Sequence, residues 1–194
     1  MTPPATKVLA NQYRIPVLQP EKLKKSEVTA QLATLQADIF VVVAYGRIIP
    51  VEILELPKFG TINVHPSLLP KYRGPSPIQS AIINGETTTG VSIMKLDALM
   101  DHGPILAQAP LPILSTDTPE SMRKKAVIVG APLLIDSLKN FVAGNLEPQI
   151  QDDQQATICK LLTREDGHIN WSRNAVELDA QIRGLTPWPG TWTR

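Results

Sequence analysis

Cysteine and glycine are both scarce in this 194-residue chain. The single cysteine, Cys159, excludes an internal disulfide and any metal site built on several thiolates, and it fits a reducing compartment. The 11 glycines stand against 18 prolines. This balance predicts many rigid turns and argues against a coiled coil or a helical bundle.

An excess of charge and a long apolar run are also missing. The 19 lysine and arginine residues nearly balance the 18 aspartate and glutamate residues, which leaves a net charge of +1. Charge alone therefore gives no reason to expect nucleic-acid binding. The longest apolar run, Ile39 to Tyr45, is far shorter than the roughly 20 residues of a membrane helix, and the N-terminus lacks a signal-peptide pattern. We therefore expect a cytoplasmic protein with no membrane partner.

The order of apolar segments predicts an α/β fold with a sheet that is largely parallel at its centre. Ile15–Leu18 is the first candidate strand. Asp38–Tyr45 is typical of a parallel strand buried on both faces at the centre of the core, and Gly60–His65 of a second buried strand. Residues 89–96 and 105–113 alternate like further strands. The predicted helices begin at Ser26 as N-cap, cover Val51–Leu56 and Pro75–Ile83, and run from Thr118 to near Ala143. A last helix is predicted near Asn174–Arg183.

Polar side chains that suit acyl transfer stand near the ends of these strands. Ligands of open α/β sheets bind outside the carboxyl ends of the strands. Asn63 and His65 are two residues apart, so an extended strand directs both side chains to one face. If the loop after the third strand brings Asp101 close, the set contains an oxyanion donor, a general acid or base and an orienting carboxylate. Such a set favours acyl transfer to an amine.

Two other chemistries use the same residues. A serine hydrolase built on Ser67, His65 and Asp101 lacks the Gly-x-Ser-x-Gly turn that exposes such a nucleophile. A metal site from His65, Asp97, Asp101 and His102 is chemically feasible but has no recognised ligand spacing. We therefore predict no bound metal.

Five motifs follow one another in a fixed order. They are Ala44–Pro50, Ile62–Gly74, Thr89–Met94, Met100–Leu106 and Arg183–Gly190. The first four together resemble the formyltransferases that use 10-formyltetrahydrofolate, a likeness far more specific than any one motif. The fifth resembles the junction with a C-terminal barrel in the branch of that family that formylates methionyl-tRNA. The resemblance covers essentially the whole chain.

The resemblance implies a role for each candidate residue. Asn63 would bind the formyl oxygen as it becomes an oxyanion, and His65 would act with it as a donor and proton-transfer group. Asp101 would orient His65 and help to remove the proton of the attacking amine. The acceptor would be the α-amino group of methionine on initiator tRNA, the product would serve translation initiation, and 10-formyltetrahydrofolate would be the co-substrate.

The resemblance also implies a set of folate-binding residues, held to the co-substrate largely through backbone groups. They are Tyr45, Gly46, Arg47 and Ile49 after one strand, Leu96 and Asp97 in the loop before Asp101, and Ser67, Leu68, Leu69 and Pro70 after His65. Residues 67–73 would shape the acceptor side. Ala98 and Leu99 depart from the acidic residue or glycine common in relatives, which puts the fine folate contacts in doubt.

The expected domain organisation combines this resemblance with composition, which shifts toward glutamine and aspartate from Glu147. Residues 1–146 would form a Rossmann-like formyltransferase domain without its first strands, 147–185 a linker and helix, and 186–194 the start of a truncated OB-like barrel. The full-length family is expected to be monomeric. Here the missing strands would leave the Ile39–Tyr45 strand as an open apolar edge through which chains associate.

Several alternatives to this activity remain open. Related enzymes formylate amino-sugar nucleotides or glycinamide ribonucleotide, and others release formate from the co-substrate. The chain could also be a fragment that binds folate without catalysis. Transfer assays with different acceptors distinguish these possibilities.

Overall fold

The computed structural model describes residues 2–194, which fall into two compact units divided between Gln36 and Ala37. The first unit contains helices α1, Ala5–Gln12, and α2, Ser26–Ala33. Helix α2 was expected from the sequence, but its N-cap is Lys25 and not Ser26, which lies inside the helix. Helix α1 was not expected, because it has no polar N-cap and follows Pro4. Met1 lies outside the described residues.

The predicted strand Ile15–Leu18 does not form. Residues 15–18 are irregular, and the side chains of Ile15, Val17 and Leu18 are exposed. An extended segment becomes a strand only when a neighbour supplies ladder hydrogen bonds, and Pro16 has no N–H to donate to one. The apolar pattern was therefore a poor guide at this position.

The second unit is built on one four-stranded sheet. Its strands are β1, Phe40–Val43, β2, Thr61–His65, β3, Thr88–Lys95, and β4, Ile105–Pro112, in the order β1-β2-β3-β4. The expected α/β fold is confirmed, but the strands are parallel only between β1 and β2, and both other pairs are antiparallel. The short loop 96–104 explains the last pair, because a parallel connection needs a crossover of a dozen or more residues.

The predicted helices of this unit are confirmed, with small shifts of their ends. They are α3, Val51–Leu54, α4, Pro77–Ile83, α5, Pro119–Val142, and α6, Ala175–Gly184. At the start of α5 the Thr118 hydroxyl accepts a hydrogen bond from the Ser121 N–H, a capping box that fixes where the long helix begins. Among residues 2–194, no helix is long and apolar enough to cross a membrane.

Strand β1 lies at the edge of the sheet, as the resemblance implied, and not at the centre of the core, as its apolar run alone predicted. Within the described chain it pairs with β2 alone. Val41 and Val43 are exposed, whereas Phe40 and Val42 are half-buried. The prediction of burial on both faces is therefore wrong: all four residues are apolar, so the sequence pattern could not show that one face is uncovered.

The core lies between the sheet and helices α4 and α5. Its buried centre consists of Ile62, Ile78, Ile82, Val91, Ile93, Leu106, Leu111 and Met122. Helix α5 approaches the sheet closely at Gly130, where a Cβ would stand 3.2 Å from Val91 and 3.7 Å from Val64. Val64 thus turns toward α5. Its neighbours in the strand, Asn63 and His65, therefore project from the opposite face of β2.

Candidate active site

Asn63 and His65 share the face of β2 that is turned away from α5. In the ladder to β3, Asn63 lies opposite Met94 and His65 lies opposite Ser92. Asn63 is half-buried, and its side-chain amide forms no hydrogen bond with another described residue. This amide is therefore free to donate to a ligand bound on that face.

The His65 imidazole is buried between two polar groups. Its Nε2 atom lies 2.9 Å from the Tyr72 carbonyl oxygen. A carbonyl only accepts, so Nε2 carries the hydrogen and donates it to Tyr72. The Nδ1 atom lies 3.6 Å from Oδ1 of Asp101. The ring atom that exchanges a proton is therefore Nδ1, and a proton taken up there lies next to the Asp101 carboxylate.

Burial controls the protonation of His65. Desolvation lowers the pKa of the imidazole below its ordinary value of 6.5, against the raising effects of the Asp101 carboxylate and the Tyr72 carbonyl. A lowered pKa leaves the ring neutral at neutral pH. His65 can therefore accept a proton, and Asp101 stabilises the resulting imidazolium.

Asp101 is held in one orientation by the chain around it. Its Oδ2 atom accepts a hydrogen bond from the Gly74 N–H at 2.8 Å, which leaves Oδ1 facing His65. Gly74 has φ +116°, and a Cβ there would lie 2.3 Å from the Cys159 carbonyl oxygen, so only glycine fits. Asp101 itself has φ 49°, a strained conformation that a non-glycine residue keeps only when its surroundings enforce it.

Two residues that the sequence analysis missed hold the loop after His65. Ser92 of β3 donates its hydroxyl to the Ser67 carbonyl at 2.6 Å and accepts from the Leu69 N–H at 3.1 Å. Gln108, opposite Ser92 in the ladder, donates to the Leu69 carbonyl at 2.9 Å and to the Ser92 hydroxyl at 2.8 Å. Their alternation in β3 and β4 resembles ordinary strand polarity, so no local signal marks them.

The predicted folate-binding residues after His65 are partly or fully buried. The Ser67 hydroxyl donates to the Lys71 carbonyl at 2.6 Å, and both Ser67 and Leu69 are buried. Leu68 and Pro70 are half-buried. The bond to Lys71 also counts against Ser67 as a nucleophile, because its hydroxyl is already engaged by the backbone.

The other predicted folate-binding segments lie in different parts of the sheet. Tyr45, Gly46 and Arg47 are exposed after the carboxyl end of β1, and Ile49 is half-buried. Leu96 donates its N–H to the Thr61 carbonyl at 2.8 Å, and the Asp97 carboxylate lies 2.7 Å from His102 Nδ1. Because β3 runs antiparallel to β2, Leu96 lies where β2 begins. Oδ1 of Asp101, five residues farther along the chain, nevertheless lies 3.6 Å from His65 Nδ1.

Across residues 2–194, no cluster of three or more histidine, cysteine, aspartate or glutamate side chains is arranged to hold an ion. A cavity of about 340 Å³ lies between α4, residues 157–162 and α6, with Tyr72 and Cys159 in its wall. Asn63, His65 and Asp101 do not line it.

Comparison with known families gives a consistent result. The sequence matches the formyl transferase family over residues 1–138 and the formyl transferase C-terminal domain over residues 161–194. The methionyl-tRNA formyltransferase of Chloroflexus aurantiacus is 45% identical over 193 residues, and that of Staphylococcus aureus 46%. Each alignment covers 100% of this chain and 62% of the relative, so the chain spans less than two thirds of their length.

Solved structures share the fold at lower sequence identity. A sugar N-formyltransferase from Shewanella superposes with a TM-score of 0.79 at 20% identity, over 97% of this chain and 74% of that one. HypX from Aquifex aeolicus, crystallised with tetrahydrofolic acid, gives a TM-score of 0.74 at 20% identity, over 87% of this chain and 29% of that one. The Rossmann-like α/β fold expected from the sequence is confirmed by these superpositions.

The contact between Asp101 and His65 generates a direct prediction. Asp101→Asn removes the negative charge that raises the His65 pKa, so the imidazole is expected to titrate at a still lower pH. NMR titration of the histidine ring protons measures this midpoint, with His65→Ala to assign its signal. Asp97→Asn is the matched control: it is expected to lower the pKa of His102, which Asp97 raises, and to leave His65 unchanged. An unchanged or raised midpoint for His65 in Asp101→Asn would contradict the geometry.

Proposed function

Since the chain belongs to the formyl transferase family, we propose that it transfers a formyl group from 10-formyltetrahydrofolate to the α-amino group of methionyl-tRNA. The observation that carries this proposal is the buried pairing of His65 Nδ1 with Asp101 at 3.6 Å, on the strand face that also presents the unengaged Asn63 amide. The names of the similar proteins from Chloroflexus aurantiacus and Staphylococcus aureus support the choice of acceptor.

Each of the three residues has a distinct part in this reaction. The amine nitrogen forms a bond to the formyl carbon, and the formyl oxygen gains negative charge. Asn63 donates its amide hydrogen to that oxygen, where a fixed donor stabilises the transition state more than the ground state. His65 accepts the proton of the amine at Nδ1. The bond between the formyl carbon and the folate nitrogen then breaks, and that nitrogen takes up a proton.

Asp101 makes the proton transfer to His65 favourable from its place beside the imidazole. A buried imidazolium alone is costly, as the lowered pKa of His65 reflects. The Asp101 carboxylate offsets that cost once the proton arrives at Nδ1, because the two charges are then adjacent. His65 thus works as a base near neutral pH, and the rate of transfer is expected to fall as the pH drops through its lowered pKa.

The folate is proposed to contact three segments of the chain. They are Tyr45, Gly46, Arg47 and Ile49, then Leu96 and Asp97, then Ser67, Leu68, Leu69 and Pro70. A neighbour of this fold crystallised with tetrahydrofolic acid supports a folate ligand. Because Ser67 and Leu69 are buried, we expect their contribution to come from backbone groups.

The remaining proposals concern organisation and partners. Residues 1–146 form the formyltransferase domain, 147–185 a linker and helix, and 186–194 belong to the C-terminal domain. Initiator methionyl-tRNA is the macromolecular partner, and a cytoplasmic location follows from that substrate. The match to the formyl transferase family ends at residue 138, near the proposed end of the first part, and the match to the C-terminal domain begins at residue 161, within the proposed linker and helix.

The activity is tested by transfer of labelled formyl from 10-formyltetrahydrofolate to methionyl-tRNA. The assay compares this chain with one extended at both ends to the length of its relatives. His65→Ala is expected to reduce kcat by about 10²- to 10⁴-fold, the usual contribution of a general base. The control is His168→Ala, which changes an exposed histidine outside the site.

Each outcome of the transfer assay has a meaning. Activity of both chains indicates that residues 1–194 hold the complete cleft, and activity of the extended chain alone indicates that the cleft needs further segments. Transfer to an amino-sugar nucleotide in place of methionyl-tRNA would contradict the proposed acceptor. Folate binding without transfer in either chain would contradict catalysis.

We also propose that isolated chains associate through the free edge of β1. Val41 and Val43 are exposed on a strand that pairs with β2 alone in the described chain. An apolar unpaired edge favours pairing with a second copy, and a lysine on it opposes pairing. Sedimentation velocity is expected to show concentration-dependent association that Val43→Lys reduces. A monodisperse chain that unfolds cooperatively at all concentrations would contradict this proposal.

A further inference from the structure

Gln151 lies in the glutamine-rich segment after Glu147, yet its side chain is buried beside the candidate active site. Its Nε2 atom donates one hydrogen bond to the Asp101 carbonyl at 2.9 Å and another to the Gly103 carbonyl at 2.7 Å. Both amide hydrogens are therefore used on the backbone of the loop that carries Asp101. No local sequence signal shows this contact, because Gln151 and Asp101 are 50 positions apart.

Arg73 fixes which way the Gln151 amide points. The Arg73 Nε and Nη2 atoms donate to Gln151 Oε1 at 3.0 and 2.9 Å, and Arg73 is itself buried. A guanidinium cannot accept a hydrogen bond, so the amide oxygen must face Arg73 and the NH₂ group must face the Asp101 loop. Reversing the amide would leave buried donors facing each other.

Two adjacent residues, Arg73 and Gly74, hold Asp101 in place. The Gly74 N–H binds the Asp101 carboxylate, and Arg73 orients the Gln151 amide that binds the Asp101 backbone. A strained φ of 49° at Asp101 persists only if its surroundings determine it. The two hydrogen bonds from Gln151, to the carbonyls of Asp101 and Gly103, hold the backbone on both sides of His102.

Three further charged groups lie beside this contact. Asp153 accepts from Arg73 Nη2 at 2.8 Å, and His102 lies 3.5 Å from Asp153 and 2.7 Å from Asp97. Asp153 is largely exposed, so solvent weakens its ion pair. Gln151, by contrast, is buried and donates two hydrogen bonds to the backbone of the loop.

We propose that Gln151 is a positioning residue that holds Asp101 against His65, and that Arg73 sets the orientation of its amide. The expected effect on the rate of formyl transfer rests on the proposed function. The expected effect on the titration of His65 rests only on the geometry. A displacement of this kind is enough to matter, since misplacing a catalytic group by about 1 Å can cost roughly 100-fold in rate.

The test uses two substitutions and one matched control in the whole chain. Gln151→Ala removes all bonds of the side chain. Gln151→Met keeps an uncharged side chain of similar length but lacks the NH₂ group that binds the Asp101 and Gly103 carbonyls. Gln155→Ala is the control, because Gln155 is a nearby exposed glutamine that binds only Asp152. Thermal unfolding verifies that each variant folds.

The first readout is the NMR titration of His65. Both Gln151 variants are expected to shift its midpoint to lower pH, in the same direction as Asp101→Asn, because the carboxylate that raises the His65 pKa moves away. Gln155→Ala is expected to leave the midpoint unchanged. If Gln151→Ala does not fold, Gln151→Met decides the question, because it fills similar space without the NH₂ group and adds no charge near His65. An unshifted midpoint in a folded Gln151 variant would overturn the proposal.

The second readout is the kinetics of formyl transfer. The Gln151 variants are expected to lower kcat by about 10- to 100-fold with little change in KM for the folate. If the unsubstituted chain and its extended form show no transfer, but the Gln151 variants shift the His65 midpoint, the positioning role stands and the proposed function fails. If transfer is measured and the variants lose only stability, with kcat and the His65 midpoint unchanged, Gln151 has a structural role alone.

Discussion

The approach of Asp101 to His65 is the contact on which the rest of the site depends. Neither residue can take its position by local preference: His65 must lose water, and Asp101 must adopt a left-handed backbone. A hydrogen bond from His65 to the Tyr72 carbonyl and one from the Gly74 N–H to Asp101 fix the two side chains, and both backbone groups belong to the loop after β2. That loop therefore sets the positions of both side chains.

Contacts with the sheet hold this loop in the position that the site requires. Strand β2 alternates between a core face, where Val64 meets α5, and a polar face with Asn63 and His65. The adjacent pair Ser92 and Gln108 then satisfies the loop's backbone groups, which would otherwise be buried without partners. Packing on one face and hydrogen bonding on the other thus act on the same five-residue strand.

Patterns that depend on neighbours in the sequence predicted much of the fold and part of the site. The spacing of Asn63 and His65 gave their common face, and Thr118 marked the start of α5. Patterns failed where the partner is distant or missing. Ile15–Leu18 forms no strand, and the family resemblance, not the apolar run, predicted that β1 is an edge. The contact of Gln151 with the Asp101 loop lies beyond any local signal.

The central claim is that His65 and Asp101 act as one proton-accepting unit, and a double-mutant cycle on kcat for formyl transfer tests it most directly. The cycle compares His65→Ala, Asp101→Asn and the double variant with the unsubstituted chain, in whichever length is active. Residues that act as a unit are strongly non-additive. The account predicts that the double variant is no slower than the slower single variant. Independent losses that multiply in the double variant would contradict it.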